Sequence, residues 1–232
     1  MITVPRDEFI RGRFDYRPGD HVTIIGPTGS GKTWMAYELL GSVTKTNLPG
    51  IIMVMKPKDA TIKKWNKDVK YRIVRNWPPV YSVWLPRKPR GYVVWPQHAF
   101  DPELDDARLY KVFRRVILDS YRRGRRIIFA DETYGLSDIG LNRELITIWT
   151  RGRSMGTGLW AATQKPTHIP LFAYNQADHL FLFNDPDKRS RDRFSEISGV
   201  DGALVAEAVM ALDEYHCLYI RRRGPRMCIV GP

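Results

Sequence analysis

Five short segments of the chain are almost unbroken in apolar character: Val22–Ile25, Ile51–Met55, Ile127–Ala130, Leu159–Thr163 and His179–Phe183. A strand with one solvated face alternates polar and apolar residues. Runs without alternation are the pattern of strands covered on both faces, as in a parallel sheet sandwiched between helices. Between them the period lengthens to that of helices. Trp34 to about Val43 places Met35, Leu39 and Leu40 on one face. Asp101–Arg123 places Leu104, Leu109, Val112, Phe113, Val116, Ile117 and Tyr121 inward, started by Asp101-Pro102 and stopped by Gly124. Helices are also expected over Leu141–Thr150, Lys188–Ile197 (strongly basic) and Ala203–Leu212. Tyr215–Ile220 and Met227–Val230 read as two closing strands around Arg223-Gly224-Pro225.

The outer stretches are less regular. Residues 1–20 read as a lead-in that ends in the turn Asp15–Asp20. In residues 56–100 a helix over Ala60–Val69 and short strands at Arg72–Val74 and Tyr92–Trp95 are separated by Pro78, Pro79, Pro86 and Pro89. Basic residues there interleave with Trp65, Tyr71, Trp77, Tyr81, Trp84, Tyr92 and Trp95. That mixture suits either single-strand stacking or packing beneath long loops. The pattern predicts one three-layer α/β domain over 1–232, with a mainly parallel central sheet and helices on both faces. Its core spans about 20–200, with an insertion at 56–100 and closing strands at 213–232.

The first strand leads into candidate chemistry. Gly26-Pro27-Thr28-Gly29-Ser30-Gly31-Lys32-Thr33, followed by Trp34, has the form G-x-x-x-x-G-K-[ST] of the phosphate-binding loop. Glycines let backbone N–H groups close around phosphate oxygens, and the helix that follows points its positive end at the same anion. Lys32 would reach the β- and γ-phosphates of ATP, and the Thr33 hydroxyl would help hold Mg²⁺. About a hundred residues later Ile127–Ala130 ends in Asp131-Glu132. Asp131 is the expected Mg²⁺ partner through its water shell, and Glu132 the acceptor of a proton from the attacking water. Gln164, at the tip of Leu159–Thr163, can donate and accept. It would sense the γ-phosphate or orient that water if its strand lies between the loop strand and the acidic strand.

Charge adds a partner. Lys and Arg number 37 against 25 Asp and Glu, a net +12, and a field of that sign favours polyanions. No apolar run approaches the roughly 20 residues needed to span a bilayer. No signal-peptide pattern opens the chain, so a cytoplasmic location is expected. Cys217 and Cys228 are expected as small buried residues in a reducing compartment.

Arg153-Ser154-Met155-Gly156 through Ala162-Thr163-Gln164-Lys165-Pro166 is similar to the R-x-x-G-hydrophobic-ATQ-[RK]-P stretch of the FtsK–HerA superfamily of P-loop translocases. Phe183–Arg191 resembles that family's segment after the fifth core strand. The resemblance covers about residues 20–200, and the length matches the compact viral branch, the genome-packaging ATPases. It implies a homo-oligomeric ring threading double-stranded DNA into a preformed shell, docked on a capsid or portal vertex protein. It also implies an arginine supplied by the neighbouring subunit. Arg153 is the first candidate, with Arg151 beside it and Arg189 and Arg191 as runners-up. Candidate DNA contacts are Lys56–Lys67, Arg87–Arg90 and the loop after Glu132. Competing readings are a membrane-associated phage assembly or export ATPase and a non-translocating nucleotide switch.

Overall fold

The computed structural model describes residues 1–79, 88–164, 173, 175–187, 189, 192, 200–224 and 226–232. Its strands are β1 (Thr3–Pro5), β2 (Val22–Ile25), β3 (Gly50–Met53), β4 (Arg72–Val74), β5 (Gly91–Val94), β6 (Ile127–Ala130), β7 (Gly158–Thr163), β8 (His179–Phe183), β9 (Cys217–Arg221) and β10 (Arg226–Gly231). They form one sheet in the order β1-β10-β9-β8-β2-β7-β6-β3-β5-β4. From β8 to β4 every pairing is parallel, and β9 runs antiparallel to both β8 and β10. The pairing Ile25↔Thr163 on one side of β2 and Ile25↔Leu182 on the other puts the loop strand at the centre. As expected, β7 lies between β2 and the acidic strand β6.

Alternate residues of these strands feed two cores, which is why the runs are apolar throughout. On one face Ile25, Ile51, Met53, Ile128 and Leu159 pack against α4 (Pro102–Arg123), α6 (Asn142–Arg151) and α7 (Gly202–Met210). On the other, Val22, Ile24, Ile52 and Phe129 pack against α1 (Arg6–Gly12), α2 (Lys32–Val43) and α3 (Ala60–Val69). The helix starts follow local chemistry. The Asp101 carboxylate caps α4 by accepting from the Leu104 N–H at 3.1 Å, and Asp59 caps α3 by accepting from Ile62 N–H at 2.9 Å. Among the described residues no helix is long and apolar enough to cross a membrane.

Four expectations need correction or completion. The lead-in is structured: β1 pairs in parallel with β10, and α1 buries Phe9 with its ring 4.6 Å from that of Tyr219. One buried residue in seven gives no helical period to read. Leu104, assigned inward, sits in the first turn of α4 and is 58% exposed; the buried face of that helix begins at Leu109. Ahead of Asn142 the chain is already helical, with α5 (Thr133–Leu136) and a π-helical turn Ser137–Leu141. Gly140 at φ 94° breaks the regular period there. Finally, Trp65, Tyr71, Trp77, Tyr92 and Trp95 are all buried, so these aromatics pack the core rather than present stacking faces. Trp77, for example, donates from Nε1 to Asp119 at 3.1 Å and meets Tyr92 edge-on. Tyr81, Trp84, Arg87 and the expected helix at 188–197, apart from Arg189 and Asp192, lie outside the described residues. Cys217 and Cys228 are free and buried, and burial pushes the Cys217 thiol up to about 12.

Candidate nucleotide site

The parallel strands end along one edge of the sheet, and β2 delivers the glycine loop there. Gly29 and Gly31 hold φ of 84° and 93°, left-handed values that a Cβ would strain. A Cβ on Gly26 would stand 2.6 Å from Ser30 Oγ and 2.7 Å from Phe183 Cβ, so that position requires glycine. Gly31 caps α2, whose first residues are Lys32 and Thr33, so the helix starts two residues earlier than the apolar period suggested. The unpaired N–H groups of that helix start thus open into the loop. Lys32 Nζ folds over the loop and donates to the Pro27 carbonyl at 3.2 Å. Burial depresses its pKa, an effect the nearby Asp131 and Glu132 carboxylates oppose. The Lys32 ammonium is therefore half-desolvated, the condition in which a phosphate binds it strongly.

The acid pair meets the loop across β7. Thr33 Oγ1 donates to Asp131 Oδ1 at 2.7 Å. Gln164 links the two halves of the site, since its Nε2 donates to Glu132 Oε2 at 3.1 Å and its Oε1 accepts from Thr28 Oγ1 at 2.8 Å. Burial raises the Glu132 pKa, Asp131 adds to that, and Lys32 and Gln164 work against it. A carboxyl with a raised pKa, held by a residue that can also hold water, suits proton transfer. A hydroxyl and one carboxylate are hard oxygen donors of the type Mg²⁺ takes alongside water and phosphate. Among the described residues no group of three acidic, His or Cys side chains forms a self-sufficient metal cage. Trp34 lies just past the loop, its ring under Lys64 Nζ at 5.7 Å.

The candidate arginines are elsewhere. Arg153 precedes β7, about 17 Å of strand away from Gln164, at the edge opposite the loop. Its Nη2 donates to Asp178 Oδ2 at 2.6 Å, and Arg223 Nε approaches the other oxygen at 3.4 Å. Arg151 ends α6 at that same edge and is exposed. Arg189 follows β8, and its backbone N–H donates to Asp187 Oδ1 at 2.9 Å. Arg191 lies outside the described residues. No candidate contacts the nucleotide loop of its own chain among the described hydrogen bonds and ion pairs.

That opposite edge carries a pH-sensitive residue. His21 is fully buried, accepts the Leu159 N–H on Nδ1 at 3.0 Å, and has a pKa pushed down to about 4, first by burial and then by Arg153. Unfolded, it titrates near 6.5. Between those values the unfolded chain binds a proton that the folded chain refuses, so stability is full above about 6.5 and is lost as pH falls toward 4. The loss reaches about 3 kcal/mol at the lower end. Melting temperatures measured across this window should fall with acidification in the wild type and fall less steeply in His21→Asn.

Two contacts of the site had no signal in the sequence. Thr28, read as part of the phosphate loop, also anchors Gln164. Lys56, named above as a candidate DNA contact, reaches the acid pair, with Nζ 3.4 Å from Asp131 Oδ2. Elsewhere on the basic 56–67 segment, Lys63 lies over Trp95 at 5.6 Å.

A phosphate loop, an acid pair and a glutamine-tipped strand between them define a P-loop NTPase with an additional central strand. No protein-family model matches the chain, and no curated protein matches it. Solved structures do. The chain is similar to the genome packaging NTPase B204 from Sulfolobus turreted icosahedral virus 2 in complex with AMP, at TM-score 0.66 and 20% identity, covering 94% of this chain and 99% of that one. It is also similar to VirB4 of Thermoanaerobacter pseudethanolicus (TM-score 0.63, 10% identity, 91% and 88% covered). The bacterial conjugative coupling protein TrwB gives TM-score 0.63 at 11% identity, with 99% and 92% covered. At these identities the likeness shows a shared fold, that of the packaging NTPase, VirB4 and TrwB structures.

Proposed function

We propose that this chain is the ATP-hydrolysing subunit of a ring-shaped motor that translocates double-stranded DNA, packaging a viral genome into a preformed capsid. The observation that carries the hydrolytic part is the Thr28–Gln164–Glu132 chain of hydrogen bonds, which ties a proton acceptor to the phosphate loop. The motor part is supported by the likeness to a genome-packaging NTPase and by the net charge of +12.

In this reading the loop N–H groups and Lys32 hold the β- and γ-phosphates of ATP. Thr33 and Asp131 hold Mg²⁺, which when bound neutralises charge on the phosphate oxygens. Gln164 holds a water against Glu132, and Glu132 Oε accepts its proton as the oxygen attacks the γ-phosphorus, the bond to the β,γ-bridging oxygen breaking so that ADP leaves with that electron pair. Arg153 of a neighbouring subunit supplies the positive charge that the transition state needs, with Arg151 as its alternate. The subunits act in the host cytoplasm, docked on a capsid or portal vertex. DNA is gripped through its phosphates, because a motor must pass any sequence.

ATPase activity should be stimulated by double-stranded DNA of any sequence, and the stimulation should decay steeply as salt rises from 50 to 200 mM. Stimulation by anionic vesicles in place of DNA would indicate the export reading, and stimulation by neither would indicate a switch. A salt-independent response would refute the phosphate grip.

A further inference from the structure

Both oxygens of Asp131 are already engaged: Oδ1 by the Thr33 hydroxyl at 2.7 Å, Oδ2 by the Lys56 ammonium at 3.4 Å. The backbone brings Lys56 there. β3 and β6 are parallel neighbours in the register Met53↔Ala130, so Lys56, three residues past β3, and Asp131, one past β6, leave the sheet side by side. The Lys56 carbonyl is pinned by Trp95 Nε1 at 2.8 Å, and the Trp95 ring is in turn buried between Lys63 and Arg75 at 5.6 and 5.9 Å. The main chain is fixed while the side chain lies partly in solvent: the Lys56 side chain is 56% exposed, that of Asp131 only 13%.

That asymmetry has a physical meaning. A carboxylate so shielded from water needs a counter-cation. Among the described residues Lys56 makes the ion pair with Asp131, and Lys32 adds its field. A divalent ion at Asp131 would neutralise the same charge and repel the ammonium, so the two compete for one carboxylate.

We propose that Lys56 is a positioning residue that neutralises Asp131 until the metal arrives and is displaced from it when Mg²⁺–nucleotide binds. The inference rests on the nucleotide-site reading above. Lys56 thereby sets how much Mg²⁺ the site requires, and its release transmits loading to the Lys56–Asp59 segment that leads into α3. Its charge also falls on Lys32 and Glu132, which places it within the electrostatic shell of the site.

The test uses the full chain and a fluorescent ATP analogue, titrated with Mg²⁺ at fixed nucleotide concentration. Mn²⁺ binding to the nucleotide-free protein is followed in parallel by electron paramagnetic resonance. Lys56→Met should lower the Mg²⁺ needed for half-maximal binding about two- to fivefold, the scale of a partly exposed ion pair. Mn²⁺ should bind the nucleotide-free variant more tightly by a similar factor. Lys56→Arg, which keeps the charge, should return both values close to wild type. Lys67→Met, at an exposed lysine further along α3, should leave them unchanged. Lys56→Gln serves as a second uncharged variant if the apolar one melts early. Identical titrations for wild type and the uncharged variants would overturn the proposal, as would an equal shift in Lys67→Met, which would reveal only a general field. If the wild type binds no nucleotide at any Mg²⁺ concentration, the reading of the site itself fails. If it binds normally and Lys56→Met is indistinguishable, only the counter-cation role fails.

Discussion

Glu132→Gln is expected to lower ATP turnover by about 10²–10⁴-fold, the usual contribution of a positioned general base, while nucleotide binding persists. The substitution keeps the shape of the side chain and an acceptor for Gln164, and removes the ability to take a proton. It also removes a negative charge near the phosphates, so the affinity for ATP should hold or rise. Turnover within tenfold of wild type would transfer the base role elsewhere. The pH profile offers a second check. Burial and Asp131 raise the Glu132 pKa, and the ionised form is the active one. The rate should therefore climb with pH through a midpoint above the ordinary carboxylate range. The Gln164 hydrogen bond favours the ionised carboxylate, so in Gln164→Ala the midpoint should move further up.

Arg153→Ala should cost about 10³-fold or more in turnover of the assembled protein, the scale of an arginine supplied in trans, with nucleotide binding by the subunit intact. The Asp178 contact complicates this expectation in an informative way. Asp178 is only 6% exposed on its side chain and is bonded by Arg153 and Arg223 and by the His21 N–H at 3.0 Å. If Arg153 is merely structural, Asp178→Asn should damage activity as Arg153→Ala does. If Arg153 acts on a neighbour, Asp178→Asn loosens its tether and turnover survives. Mixing is the sharper measurement. A ring assembled from Arg153→Ala and Glu132→Gln chains contains interfaces where an intact Glu132 faces an intact Arg153, so part of the lost activity should return. Full activity in Arg153→Ala would move the role to Arg151 or to Arg189 and Arg191.

The central sheet was legible because its strands are buried on both faces, and the absence of alternation in Ile127–Ala130 or His179–Phe183 has few other causes. The candidate site could be read for a different reason: Gly26–Thr33, Asp131, Glu132 and Gln164 all sit at strand ends along one edge, where a short motif fixes geometry. Contacts between distant residues had no such signal. Phe9 belongs to a core built by Phe181 and Tyr219. Thr28 meets Gln164, and Lys56 meets Asp131 at the end of the adjoining strand. Composition alone could not separate aromatics that pack from aromatics that stack, and Trp65 and Trp77 proved to be the former. Arg153 is legible as a residue but not as a role, since that depends on a second copy of the chain.

The pairing of β1 with β10 joins Thr3 to Ile229 and Pro5 to Gly231, contacts separated by nearly the whole sequence. Such a pairing incurs the full entropy of closing the chain before it returns any hydrogen bonds. The catalytic half of the sheet, from β2 to β7, has no need to wait for it. During synthesis the nucleotide edge can therefore assemble while the opposite margin stays open, and Phe9 finds its place only after Tyr219 has emerged. The last event in folding would then be the sealing of the margin farthest from β4, and the phosphate loop would be competent before the molecule is complete.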